Sequence, residues 1–337
     1  MVHSIYISFP QANEVVLREE QIGPPGPGQI LCRAESSLIS IGTESYCLRG
    51  VFDPGTNWAR WVQYPFRPGY SMVARVVALG SGVDPAWEGW RVLIPTPHQQ
   101  YTLTTPERAY GVPEGVSAEE AAWGPLASTT QLAVRRAQLA LGETVGVVGL
   151  GMLGQLVTQY LHVAGARKVI AIDTVQGRLG LALAHGATHA LCDTAEAARP
   201  AVEELTGGRM LDAVWDVTGH PAVLSQCVQL LRRLGRVVLT GDTPTPTQQF
   251  LGPGVLSNAI SILGIHASVV APHFSEHSPW TEAEIIALFY DYILQGRMRV
   301  RDLITHRHAP AEAPEVYRRL QTERAGSIGV IFDWSRV

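Results

Sequence analysis

No apolar run in this chain reaches the roughly 18 to 20 residues that a bilayer-spanning helix needs. The first residues, MVHSIYISFPQ, carry no basic leader ahead of an apolar stretch, so the expectation is a soluble, cytoplasmic protein with no membrane partner. Positive charge is not in excess: 26 Lys and Arg stand against 30 Asp and Glu, for a net charge of −4. That balance offers nothing to attract a polyphosphate and argues against a nucleic-acid partner. Cysteine is scarce as well. The four present, Cys32, Cys47, Cys192 and Cys227, include no CxxC or CxxH pair, which excludes a cysteine zinc lobe and a disulfide framework and leaves reduced, mostly buried thiols.

Glycine and proline are abundant, at 33 and 22 of 337 residues, and their distribution is uneven. Over the first 120 residues they separate short β-branched runs, QILCRAES, SMVARVVALG, RVLIPT and HQQYTLTT, a pattern that predicts a β-rich, barrel-like domain. From Ser117 the spacing becomes helical, with Ser117 and Glu120 placed as a capping box ahead of one helix running through AQL. Apolar strands and amphipathic helices then alternate. TVGVVGLG precedes MLGQLVTQYLHVAGA, KVIAID precedes GRLGLALAHGA, MLDAVWDVTG precedes a helix over PAVLSQCVQLLRRLG, and RVVLTG and SILGIHAS follow. Continuous apolar strands alternating with helices mean a parallel sheet covered on both faces. The expected class is α/β: a doubly wound domain over 122–271 inserted in a β-rich domain formed by 1–121 and 272–337. The last helices and strands, through RVRDLITHRH and GSIGVIFDW, are expected to return to that first domain without a parallel partner.

Within the doubly wound segment, Gly149-Leu150-Gly151-Met152-Leu153-Gly154 is GxGxxG between a strand and a helix. The first glycine permits the tight turn, the second lets backbone approach a pyrophosphate, and the third allows close helix packing. The N–H groups of the following helix terminus then favour the phosphates. Asp173, closing the next strand, is placed to accept from the adenosine ribose hydroxyls and would repel a 2′-phosphate, so the expected cofactor is NAD rather than NADP.

GTES (42–45), ALGSGVD (78–84), EGWRV (88–92), VPEGVSAEEAA (112–122), VGVVGLGMLG (145–154), DVTGHPAVL (216–224) and LGRVVLTG (234–241), in this order, make the chain similar to the medium-chain dehydrogenase/reductase superfamily over nearly its whole length. GTES with PGYSMVARVV resembles the branch containing bacteriochlorophyllide dehydrogenase. The resemblance implies a GroES-like catalytic domain interrupted by the Rossmann domain, and an alcohol-dehydrogenase-like activity on a small-molecule substrate. It puts the catalytic-zinc ligands at Ile41, Tyr70 and Gly124, with Ser71 where a glutamate often stands; none is a usual zinc ligand, so a zinc-independent enzyme is expected.

By the same resemblance, Thr43 matches the hydroxyl that relays the substrate proton, Tyr46 the relay histidine, and Asp242 a position lining the substrate pocket. Thr218, Thr240, Ile265 and Ala267 match positions that wall the coenzyme, and Arg178 a basic residue near the adenosine. Each catalytic candidate also has a plain reading: Thr43 as a loop-holding hydroxyl, Tyr70 as packing in the former metal site, Asp242 as a turn residue. His98 reads as a strand-end surface residue and His266 as structural, while His273, His277, His306 and His308 are too scattered for a metal site. The aromatic loop NWARWVQYPF is a substrate lid or an interaction surface, and suits a bulky or ring-containing substrate.

The expected reaction is hydride transfer between NAD and a secondary alcohol or ketone, with a tyrosine or relayed threonine replacing the metal at the substrate oxygen. The alternatives are a C=C or iminium reductase of the same family and a dinucleotide-binding protein without turnover. A homodimer through the strand SILGIHAS is expected.

Overall fold

The computed structural model describes every residue except Pro272, His277 and Ser278. His277, set aside above as a metal ligand, lies outside the described residues. The chain forms two compact units, Met1–Pro125 with Ile286–Val337, and Leu126–Ile285. Both breaks fall later than the expected 121/122 and 271/272. Each falls inside a continuous helix, so turn chemistry in the sequence could not mark it.

The first unit opens with an antiparallel hairpin, β1 (Val2–Ser8) and β2 (Val16–Ile22). There follow β3 (Ile30–Leu38), α1 (Ile41–Arg49), α2 (Asn57–Trp61), β4 (Met72–Leu79), β5 (Arg91–Ile94), β6 (Tyr101–Thr104), β7 (Tyr110–Gly111) and α3 (Ala118–Ala121). The capping box at Ser117 and Glu120 is formed, but the helix it starts stops at Ala121. A second helix, α4 (Gly124–Arg136), begins with Pro125 in its first turn, where proline is tolerated.

The second unit continues with β8 (Thr144–Val148), α5 (Met152–Val163), β9 (Lys168–Asp173), α6 (Gln176–Ala184), β10 (His189–Cys192), α7 (Arg199–Leu205), β11 (Leu211–Asp216), α8 (Val223–Val228), β12 (Leu231–Leu239) and β13 (Ser261–Gly264). Its sheet is wholly parallel in the order β10-β9-β8-β11-β12-β13. The order reverses between β8 and β11, both almost fully buried, as strands covered on two faces must be. One expected helix is corrected here. PAVLSQCVQLLRRLG is helical only to Val228, and β12 already begins at Leu231, pairing with Leu211 before a register shift. Leu234, at φ 62°, gives the irregularity that its apolar neighbours had disguised as helical spacing.

The chain then returns through α9 (Glu282–Leu294), β14 (Ile304–His308), α10 (Ala313–Thr322) and β15 (Gly329–Asp333) to the first unit. There β15 pairs antiparallel with β3, completing a seven-stranded sheet in the order β14-β15-β3-β4-β5-β7 with β6 also on β3. Contrary to expectation, β14 has a parallel partner, β15 itself, because α10 serves as the crossover between them. The core of this unit gathers Phe9, Tyr317, Phe332 and Trp334, so the C-terminal segment is built into it.

Candidate functional site

The second unit places the glycine-rich turn at the reversal of its sheet. Gly149 turns at φ 90°, and its N–H donates to the Ile172 carbonyl at 2.9 Å. A β-carbon on Gly154 would stand 1.9 Å from the Gly149 carbonyl oxygen, so α5 packs against the turn as only glycine allows. Gly151, capping α5, has nothing within 4 Å of where its β-carbon would be. Met152 is buried and Leu153 half-buried in the first turn of α5.

Asp173 is 7% exposed. Its Oδ2 accepts from the Leu150 N–H at 2.6 Å, its Oδ1 from the Val175 N–H at 2.8 Å, and Arg178 lies 3.7 Å away. Two amides leave a carboxylate further lone pairs for ribose hydroxyls. Across the switch point, Thr218 donates through N–H and hydroxyl to Asp216 Oδ1, and burial raises the Asp216 carboxyl above the usual range. Thr240 is buried with its hydroxyl unpartnered among the described residues. Ile265 is buried, whereas Ala267 is exposed in a single 3₁₀ turn. Asp242 is exposed on the loop after β12, its backbone close to Gly219. The bare backbone at Gly151, the pinned turn and the orphaned Thr240 hydroxyl fit a dinucleotide.

The first unit carries a cluster of hydroxyls at the start of α1, which places Thr43 on a helix and not on the loop expected for it. Tyr70 donates its hydroxyl to Ser40 Oγ at 2.6 Å, and the Thr43 hydroxyl also bonds to the Tyr70 phenol. Burial pushes that phenol up to about 12, against the pull of these hydrogen bonds and with a smaller push from Glu44 and Cys47. Ser40 is the N-cap of α1, and its N–H is satisfied by Glu44 Oε1 at 2.7 Å. Tyr46 stands elsewhere: its ring meets Trp58 edge-on at 5.7 Å and lies under the Arg49 guanidinium at 4.7 Å. Trp58 stacks on Phe52, so part of the aromatic loop is packed inward, while Trp61 is 43% exposed.

The positions where the resemblance puts metal ligands do not fit a metal. Ile41 has no ligand atom, Tyr70 is bonded to Ser40, and a side chain at Gly124 would begin 2.5 Å from Leu93 Cδ2. Ser71 gives its hydroxyl to the Ala122 carbonyl. No group of three or more His, Cys, Asp or Glu side chains among the described residues could hold a metal ion. His266 caps its own 3₁₀ turn, and His306 and His308 stack on the strand surface.

His98 is the clear correction. It is 0% exposed, with Nε2 3.0 Å from Glu44 Oε2 and Nδ1 2.7 Å from Ser37 Oγ. Ser40, Glu44 and Tyr317 also escaped sequence reasoning. The one available signal was a lone carboxylate inside the apolar stretch LISIGTESYCL.

A parallel six-stranded sheet with this turn and acidic strand end, in one chain with a β-rich unit, is a doubly wound α/β architecture of the kind that binds dinucleotides at its switch point. The family described as zinc-binding dehydrogenase matches residues 153–282. Sorbitol dehydrogenase of Bacillus subtilis (strain 168) is 27% identical over 236 residues, covering 60% of this chain and 67% of that protein. Two solved structures share the fold. A short chain alcohol dehydrogenase from E. coli CFT073, complexed with NADH, has a TM-score of 0.78 at 20% identity, covering 98% of this chain and 99% of that one. A protein described as a zinc-binding dehydrogenase from Sinorhizobium meliloti 1021, bound to NADP, has a TM-score of 0.78 at 21% identity, covering 99% and 100%. By these comparisons the chain is similar to zinc-binding and alcohol dehydrogenases over its second unit and shares their fold.

Proposed function

We propose that this chain is a zinc-independent, NAD-dependent oxidoreductase acting on a secondary alcohol or its ketone. The observation that carries the reading is the Tyr70 phenol, bonded to Ser40 and Thr43 where the resemblance puts a metal ligand. A Lewis acid stabilises developing charge by several kcal/mol, and without it hydrogen-bond donors must hold the oxygen. A phenol pushed up to about 12 keeps its proton across the working pH range, and turning that one hydrogen from Ser40 Oγ to the substrate oxygen would make it that donor. Thr43, beside it, gives the alcohol proton a path outward.

Bound nicotinamide dinucleotide would supply the hydride carrier. The Gly149–Gly154 turn and the start of α5 would hold its pyrophosphate, and Asp173 its ribose, which favours NAD over NADP. Thr218, Thr240, Ile265 and Ala267 would wall the coenzyme. The aromatic loop around Trp58 and Trp61 suits a bulky or ring-containing substrate. The free edge of β13, last in its sheet, suits pairing with a second copy.

The test is NADH formation against cyclic and aromatic alcohols, with and without chelator. Activity should survive chelation, and Tyr70→Phe should lower kcat roughly tenfold or more with NADH affinity unchanged. About one tightly held zinc per chain, or full activity in Tyr70→Phe, would overturn the reading.

A further inference from the structure

We infer that Glu44 and His98 form a buried pair whose task is to position the Tyr70 hydroxyl, acting through Ser40 and the Pro68–Gly69 turn. The inference rests on Tyr70 being the donor. Glu44 is 1% exposed and accepts three hydrogen bonds: from the Ser40 N–H, from His98 Nε2 and from the Tyr317 hydroxyl. On its other side His98 meets Ser37 Oγ, which accepts from the Trp334 indole at 2.9 Å. A carboxylate can only accept, so the hydrogen facing Glu44 belongs to His98 Nε2, and Ser37 can then give its own hydrogen to Nδ1 while accepting from the indole. This arrangement meets all three groups, His98, Glu44 and Ser37, with one hydrogen bond each across the pair.

Both segments that hold the Tyr70–Ser40 bond are tied to this pair. The Ser40 amide is fixed by Glu44. The His98 ring lies against Gly69, where a β-carbon would come within 2.7 Å of it, and the His98 N–H donates to the Pro68 carbonyl at 2.9 Å. Gly69, at φ 98°, turns the chain into Tyr70. Neighbouring apolar side chains could fill this space without burying a carboxylate, which costs several kcal/mol unless every acceptor is met. The carboxylate also pushes the Tyr70 phenol upward, as does Cys47; His98, Cys47 and Tyr317 are the other titratable groups around Glu44.

The experiment measures kcat, NADH affinity and phenol titration by ultraviolet difference absorbance in Glu44→Gln, Tyr70→Phe, the double variant and Ser40→Ala. The increment missing from Tyr70→Phe identifies the Tyr70 phenol. Glu44→Gln should lower kcat roughly tenfold at unchanged NADH affinity and move that increment to lower pH, while adding little to the loss already caused by Tyr70→Phe. If the two losses multiply, or the phenol increment stays in place, the positioning role is wrong. If Tyr70→Phe costs no activity but Glu44→Gln still moves the phenol, the donor reading falls and the pairing stands. Should Glu44→Gln fold poorly, Ser40→Ala keeps the amide that Glu44 holds and removes only the Tyr70 acceptor. It should give the same non-additive loss, and an additive one refutes the inference.

Discussion

Alanine at two glycines of the coenzyme turn should have opposite effects on stability and a shared effect on binding. At Gly154 a β-carbon would lie 1.9 Å from the Gly149 carbonyl oxygen and 2.9 Å from its carbon, distances no real side chain keeps. The helix and the turn must part by about 1 Å in a close-packed region. Overpacking of this kind costs about 1–3 kcal/mol, which should lower the melting temperature by roughly 2–10 °C. At Gly151 the backbone sits at φ −68° and ψ −161°, which alanine accepts, and its β-carbon would meet nothing. Gly151→Ala should therefore leave the free protein as stable or up to about 1 kcal/mol more stable, because the unfolded chain loses freedom. Its methyl group would nevertheless occupy the bare surface that a pyrophosphate must approach. NADH affinity, measured by fluorescence titration, should fall tenfold or more, about 1.4 kcal/mol. A Gly151→Ala protein that keeps its melting temperature and binds NADH as before would refute the placement of the phosphates, whatever Gly154→Ala does.

Three further outcomes are expected. NAD should bind more tightly than NADP, and Asp173→Ser should narrow the gap by about 1–3 kcal/mol while lowering the melting temperature, since the Leu150 and Val175 amides lose their acceptor; a wild type that prefers NADPH in titrations contradicts it. Tyr70, pushed up to about 12, and the upward-shifted Tyr64, Tyr290 and Tyr317 keep their protons in the folded protein after unfolded phenols ionise near about 10. The stability they contribute is complete below about pH 10 and drains away from there towards about pH 12, so melts across that range should fall steeply, and less steeply in Tyr70→Phe. Light scattering at micromolar concentration should give a dimer mass; a monomer contradicts pairing through β13.

The coenzyme unit was legible because its signals are local. GxGxxG, the acidic strand end and the alternation of apolar runs with helical spacing each lie within about 30 residues, and propensity and pattern act at that range. The misread helix beyond Val228 came from Leu230 and Leu231, which are buried in the extended chain as they would be on a helix, while Leu234 is exposed. The first unit was less legible because its polar contacts are distant. Glu44 meets His98 from 54 residues away and Tyr317 from 273, and no spacing rule joins them. Helix α1 had one readable mark, Gly50 after Arg49, which closes it in the left-handed conformation at φ 67°. Its N-terminus had none, since Ser40 caps with no side-chain bond and Glu44 stands one residue beyond the capping-box position.

Packing also bears on the positions where the resemblance puts metal ligands. Among the three ligand positions the resemblance implies, Ile41 is buried, Tyr70 is committed to Ser40, and the space beside Gly124 is filled by Leu93 with the Tyr290 hydroxyl behind it. A cysteine introduced at 124 would therefore have to displace Leu93 before it could reach anything, and a histidine at 70 would leave Ser40 without its donor. Zinc ligands restored one at a time are expected to cost stability without creating a site, because tetrahedral zinc needs its ligands together. The same packing fixes the Tyr70 phenol between two hydroxyls, so that under the proposed mechanism the ring stays in place and only its hydrogen has to turn from Ser40 to the substrate oxygen.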